Sequence, residues 1–66
     1  MPTLDPLVDR RQQYAVWAKF HGRNTQFGFS ETLEGYPDAV LEDPAVTRVW
    51  VLDRRDSFIC KRILQK

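Results

Sequence analysis

Two strand-like runs in the last third of the chain constrain its fold most. Residues 46–53 (VTRVWVLD) and 57–64 (SFICKRIL) are rich in β-branched and aromatic side chains, which are favoured in strands. Between the runs lie Arg54 and Arg55, flanked by Asp53 and Asp56. A short polar connection between two such runs predicts an antiparallel β-hairpin.

The length of the hairpin loop determines which side chains share a face, because strand side chains alternate. A two-residue loop, Arg54-Arg55, makes Asp53 face Asp56 and Val51 face Phe58. This register predicts a core face formed by Val49, Val51, Phe58 and Cys60. It predicts an apolar and basic outer face formed by Arg48, Trp50, Leu52, Ile59, Lys61 and Ile63.

The segment 14–20 (YAVWAKF) is predicted to be a further strand. Its side chains alternate, and residues 26–29 beyond the turn-forming residues 21–24 provide a short partner strand. Gly28 lies between two phenylalanines. A glycine in that position predicts a bulge or a close approach of another group to the backbone.

A helix over residues 6–20 is the alternative for this part of the chain. Asp5 would be its N-cap, Pro6 its first residue and Gly22 its C-terminal stop. Apolar residues would then lie all round the helix after residue 13, leaving no single buried face. We therefore favour the strand.

A short helix is predicted at residues 37–42. Proline inside a continuous helix costs about 3 kcal/mol, so Pro37 fits best as the first helical residue, and the Asp43-Pro44 step ends the helix. Residues 30–34 predict one separate helical turn capped by Ser30. A helix this short must pack on a sheet to be stable.

These elements predict a small α+β domain. Its three- to four-stranded antiparallel sheet has the order β-β-α-β-β, with one short helix packed on one face. The predicted strands are residues 13–20, 26–29, 46–53 and 57–64. Residues 1–11, which contain Pro2 and Pro6, are predicted to be a flexible N-terminal arm, and residues 12–66 to be the single domain.

The residue types argue against catalysis and metal binding. One cysteine and one histidine provide neither an internal disulfide nor the four ligands of a structural zinc site. Cys60, His21 and Asp53 are the residue types of a nucleophilic triad, but Cys60 is predicted to be core packing and His21 a turn residue. The acidic segment 31–43 lacks the spacing of an EF-hand loop. We therefore predict no enzyme activity, no metal and no cofactor.

The sequence predicts a cytoplasmic protein. Its lone thiol fits a reducing compartment, and its N-terminal residues lack the apolar core of a signal peptide. No apolar run approaches the roughly 18 residues that a membrane-spanning helix needs.

An aromatic and basic surface is the predicted partner-binding site. Trp and Arg concentrate binding energy at protein interfaces, so we predict a small protein-binding module, such as an inhibitor, adaptor or accessory subunit, or a homodimer. A nucleic-acid-binding domain using the same face is the alternative, although the net charge of +1 disfavours it. The predicted site residues are Trp17, Lys19, Arg48, Trp50, Ile59 and Lys61.

The acidic charges are concentrated in one segment. Residues 31–43 carry five acidic and no basic residues, whereas residues 44–66 carry six basic and two acidic residues. Whether the acidic segment is itself a binding surface stays open at this point.

Overall fold

The structure, a computed structural model, describes residues 10–66. Four antiparallel strands form one sheet with the strand order β2-β1-β3-β4, and one short helix packs on it. The elements are a 3₁₀ turn at Arg10–Gln12, β1 at Tyr14–Phe20, β2 at Arg23–Ser30, α1 at Tyr36–Leu41, β3 at Val46–Asp53 and β4 at Ile59–Gln65. The predicted α+β fold and its β-β-α-β-β order are confirmed.

Strand β1 is central and carries apolar residues on both faces. It pairs with β2 on one side and with β3 on the other. Val16 faces the helix and is fully buried, and Ala15, whose side chain lies on the opposite face, is also buried. Apolar residues on both faces of the strand, including the half-buried Trp17, explain why this segment fits no single helix face. The helical alternative is wrong for 14–20, while its start at Asp5 and most of the predicted N-terminal arm lie outside the described residues.

The first hairpin is tighter than predicted. Its turn consists of His21 and Gly22, which both have left-handed backbone angles (φ 49° and 78°). Two consecutive left-handed residues match the twist of the flanking strands. As a result β2 begins at Arg23, three residues before the predicted strand.

The hydrophobic core lies between the sheet and α1. Val40 of the helix contacts a cluster that includes Val16, Val46 and Val49. Val51 is also fully buried and lies opposite Val16 in the sheet. The prediction that Val49 and Val51 face the core is therefore confirmed.

Helix α1 begins one residue earlier than predicted. Tyr36 is its first residue and Pro37 its second, a position where the missing N–H of proline costs no helical hydrogen bond. The Gly35 N–H donates to the Asp38 carboxylate (3.0 Å). The predicted helical turn at 30–34 is wrong: these residues form bends and strand, because the Ser30 hydroxyl bonds locally to the Thr32 backbone.

The second hairpin differs most from the prediction. Its turn comprises residues 54–58, so Asp53 pairs with Ile59 and does not face Asp56. The Asp53 carboxylate accepts the Arg55 N–H (2.9 Å), and the Asp53 carbonyl accepts the Phe58 N–H (2.8 Å). These bonds stabilise the longer loop.

The longer loop changes the face of two predicted core residues. Phe58 lies in the turn with 57% of its surface exposed. Cys60 pairs with Leu52 on the face opposite α1 and is exposed. Assigning Phe58 and Cys60 to the core was therefore wrong, because the two-residue loop on which it depended does not form.

Gly28 confirms the prediction of a bulge and a close approach. The register of β1 and β2 shifts beside it, between Val16 and Trp17. Gly28 has a φ of 145°, and a Cβ at this position would lie 3.3 Å from the Tyr36 hydroxyl oxygen. That hydroxyl donates to the Phe27 carbonyl (2.9 Å), which fixes α1 against the bulge.

Gly28→Ala is expected to lower the free energy of unfolding by about 1–3 kcal/mol, because alanine is strained at this φ and its methyl group crowds Tyr36. Urea unfolding measures the change. Gly22→Asn is the matched control, since that turn is open to solvent and asparagine tolerates left-handed angles. Equal stability of the Gly28→Ala variant and the wild type would contradict the close approach.

Candidate functional site

The sheet face opposite α1 consists of three rows of side chains that are paired across the four strands. We call these twelve residues the open face. Helix α1 packs on the other face of the sheet. In the order β2, β1, β3, β4, the rows are Phe29, Ala15, Leu52 and Cys60; Gln26, Trp17, Trp50 and Ile63; and Asn24, Lys19, Arg48 and Gln65.

The middle row places both tryptophans of the chain at the centre of the open face. Trp17 pairs with Trp50 across the two central strands, and both side chains are half-buried. Ile63 continues the row on β4 and has 64% of its surface exposed. The centre of the face is therefore apolar and partly open to solvent.

The neighbouring row carries the positive charge of the open face. Lys19 pairs with Arg48 across β1 and β3, and the Arg48 Nη2 donates to Gln65 Oε1 (3.0 Å). Among the described residues neither cation forms a salt bridge. None of the twelve open-face residues is acidic, so this charge is unbalanced locally.

A shallow pocket of about 370 Å³ lies on the open face and is lined by residues from all four strands. Its walls combine cations, an indole ring, an aliphatic side chain, an amide and a thiol. Such walls suit a ligand group that is apolar along its length and anionic at its end. The lining residues are Lys19, Asn24, Arg48, Trp50, Cys60 and Ile63.

The remaining row is partly covered. The Arg54 guanidinium lies 4.5 Å from the centre of the Phe29 ring and donates to the Gln12 carbonyl (3.1 Å). Ala15, next to Phe29 in this row, has only 1% of its surface exposed. This row is therefore accessible only at its ends, where Phe29 and Cys60 are exposed, and the tryptophan row and the Lys19–Arg48 row form the rest of the accessible open face.

The structure brings together four of the six predicted site residues. Trp17, Lys19, Arg48 and Trp50 form two adjacent cross-strand pairs. These residues lie on β1 and β3, whose pairing does not depend on the length of the second hairpin loop.

Ile59 and Lys61 do not belong to the open face, and placing them there was wrong. Ile59 pairs with Asp53, on the face that carries α1. Lys61 lies at the bulge where the register of β3 and β4 shifts, and its Nζ bonds to the Asp56 carboxylate (2.8 Å), which raises the pKa of Lys61. Both errors follow from the longer loop and the bulge, which move Cys60 to the open face.

The basic residue of β4 that faces α1 is neutralised. Arg62 donates from both terminal nitrogens to the Asp38 carboxylate (3.0 Å each) and from Nη1 to the Leu33 carbonyl (2.8 Å). The Arg62 hydrogen bonds and the Gly35 N–H lower the pKa of Asp38 below its ordinary value of 3.8. These bonds, which we call the Arg62–Asp38 clasp, join β4 to the start of α1 on the side of the sheet opposite the open face.

Asp38→Asn is expected to lower the urea midpoint at pH 7. It is also expected to make the free energy of unfolding decrease less steeply as the pH falls below about 4. The folded-state pKa of Asp38 is lowered, so its carboxylate stabilises the fold above the unfolded pKa, and this contribution is lost as pH falls through the folded value. Urea unfolding from pH 2 to 7 measures it, with Glu31→Gln as the control. An acid slope unchanged from wild type would contradict the clasp.

The residues of the rejected nucleophilic triad interact with other groups. The His21 ring packs against the Phe20 ring with centroids 4.3 Å apart, and Asp53 accepts the Arg55 N–H. No hydrogen bond joins any two of His21, Asp53 and Cys60. In the described part of the chain, no group of histidine, cysteine or acidic residues is arranged to hold a metal.

Comparisons with known proteins found no matching family model, no matching curated protein and no matching solved structure. From Arg10 to Lys66, no helix has the length and apolar content to cross a bilayer. The open face is the feature on which a functional proposal rests.

Proposed function

We propose that this protein is a small, non-catalytic protein-binding module that acts by occupying a partner's surface through the open face. An inhibitor, an adaptor and an accessory subunit all work in this way. The observation that carries the proposal is the Trp17–Trp50 pair, which lies at the centre of the open face beside the exposed side chain of Ile63.

The open face has the composition of a protein interface. Interfaces have an apolar centre enriched in aromatic residues and a polar rim. Here the tryptophan pair is the centre, and Gln26, Asn24 and Gln65 lie around it. Because β1 and β3 are each hydrogen-bonded on both sides, the anchors sit on a rigid backbone and lose little conformational freedom on binding.

The charge distribution favours a protein over a nucleic acid. Single-strand binders combine stacking aromatics with a positively charged groove that follows the phosphate backbone. Only two of the twelve open-face residues, Lys19 and Arg48, are cations. The net charge of the whole chain, which includes the five acidic residues of segment 31–43, is only +1. A second copy of this chain is one protein that the face can bind.

Photo-crosslinking in the native host tests the proposal. A benzophenone amino acid replaces Ile63 on the open face, and in a matched control it replaces Ile59 on the opposite face. Both side chains are exposed, at 64% and 49%. We expect Ile63, and not Ile59, to give a discrete protein adduct that survives nuclease treatment.

The other outcomes of this experiment overturn the proposal. Equal adducts from both positions would show nonspecific contact, and no adduct from Ile63 would show that the face is unoccupied. A nuclease-sensitive adduct would show that the open face binds a nucleic acid and not a protein. An adduct with twice the mass of the chain identifies the partner as a second copy and supports the proposal.

A further inference from the structure

We propose that the protein partner inserts a carboxylate into the open-face pocket, where Lys19 and Arg48 bind it together. This inference rests on the proposed function and specifies the chemistry of the partner: an acidic side chain next to an apolar one. It follows from the position of Lys19 and Arg48, two adjacent cations that have no acidic partner among residues 10–66.

The two cations of β4 have acidic partners within the chain, whereas the two cations of the open face do not. Lys61 is bonded to Asp56, and Arg62 is bonded to Asp38. Lys19 and Arg48 have no acidic partner among residues 10–66. The open face therefore lacks an anion that a partner can provide.

The two unbalanced cations are also direct cross-strand neighbours. Like charges in this position destabilise a sheet, so an anion bound between them relieves their repulsion in addition to forming its own hydrogen bonds. Gln65 accepts from only one terminal nitrogen of Arg48. This bond orients the guanidinium and leaves further donors for a bidentate carboxylate.

The pocket walls indicate what adjoins the carboxylate. Trp50 and Ile63 line the same pocket as the two cations, so an aliphatic or aromatic group of the partner contacts them while the carboxylate binds the cations. A volume of about 370 Å³ suits one or two side chains. A pocket of this size does not hold the run of phosphates that a nucleic acid presents.

A stability measurement tests the repulsion without any ligand. Lys19→Gln is expected to raise Tm at low salt by about 1–4 °C relative to Arg23→Gln, a matched variant that removes an exposed charge outside the open face. The difference is expected to disappear in 1 M salt, where the Debye length is only about 3 Å. A lower Tm for Lys19→Gln than for Arg23→Gln would contradict the repulsion.

Titration with two short peptides tests carboxylate binding. The probes are the acetylated, amidated peptides Leu-Glu-Leu-Glu and Leu-Gln-Leu-Gln, followed by ¹H–¹⁵N spectra of the wild-type chain at low salt. We expect the acidic peptide to shift the Lys19 and Arg48 amides and the Trp50 indole N–H. Lys19→Gln and Arg48→Gln are each expected to weaken the affinity for the acidic peptide about tenfold by removing a charge-assisted bond. Arg23→Gln is expected to leave this affinity unchanged.

The outcomes separate this inference from the proposed function. Equal binding of both peptides, or unchanged affinity in Lys19→Gln and Arg48→Gln, overturns the carboxylate site even if Ile63 still crosslinks to a protein. Selective binding of the acidic peptide without any protein adduct from Ile63 overturns the proposed function while supporting the anion site.

Discussion

Replacing Val51 with alanine is expected to lower the free energy of unfolding by about 2–4 kcal/mol, through lost burial and the cavity left behind. Val51 is fully buried and pairs with Val16 between two central strands. A loss of this size is a large fraction of the roughly 5–15 kcal/mol that stabilises a typical domain. Urea unfolding followed by circular dichroism measures it.

Phe58→Ala is the matched comparison and is expected to change the free energy of unfolding by less than about 0.5 kcal/mol. Phe58 is a larger apolar residue than Val51, but it lies in the turn of the second hairpin and is 57% exposed. If Phe58→Ala unfolded the domain while Val51→Ala left it stable, the five-residue turn and the face assignments of β4 would both be wrong.

Trp50→Ala is expected to weaken partner binding by at least about 30-fold, which corresponds to the loss of a hot-spot anchor worth about 2 kcal/mol or more. Trp50 belongs to both the central tryptophan pair and the pocket. Titration of the chain with the protein captured through Ile63 measures the affinity, and the affinity of Trp17→Ala is expected to fall as well.

Two controls separate lost binding from lost folding in this experiment. Phe58→Ala removes an exposed aromatic side chain from outside the open face and is expected to bind like the wild type. Urea unfolding of Trp50→Ala is expected to show a smaller loss than Val51→Ala, because Trp50 is only half-buried. Wild-type affinity in a folded Trp50→Ala variant would contradict the docking role of the tryptophan pair.

The fold could be predicted from local sequence patterns because each element has a strong local signal. The β-branched run of β3 gives its bounds correctly, Pro37 gives the start of α1 to within one residue, and Gly28 indicates the bulge in β2. Strand β1 was ambiguous for a physical reason. Its apolar residues lie on both faces of the sheet, toward α1 and on the open face, and this obscures the alternation that marks a strand.

The register of the second hairpin could not be predicted in the same way. It depends on the Asp53 carboxylate and carbonyl, which bond to the N–H groups of Arg55 and Phe58, and on left-handed angles at two non-glycine residues, Ser57 and Phe58. No residue type in the loop indicates these angles. The predicted face was therefore right for the residues of β1 and β3 and for Ile63, and wrong on β4 for Ile59, Lys61 and Cys60.

The most direct test of the docking account is a map of the partner's footprint by ¹H–¹⁵N spectroscopy. The only two tryptophans of the chain both lie on the open face, so their indole N–H signals report on it separately from the backbone. We expect the captured protein to shift both indole signals and the amides of Lys19, Arg48 and Ile63, and to leave Tyr36–Leu41 unchanged. Unchanged indole signals, with shifts confined to α1 and segment 31–43, would contradict the account.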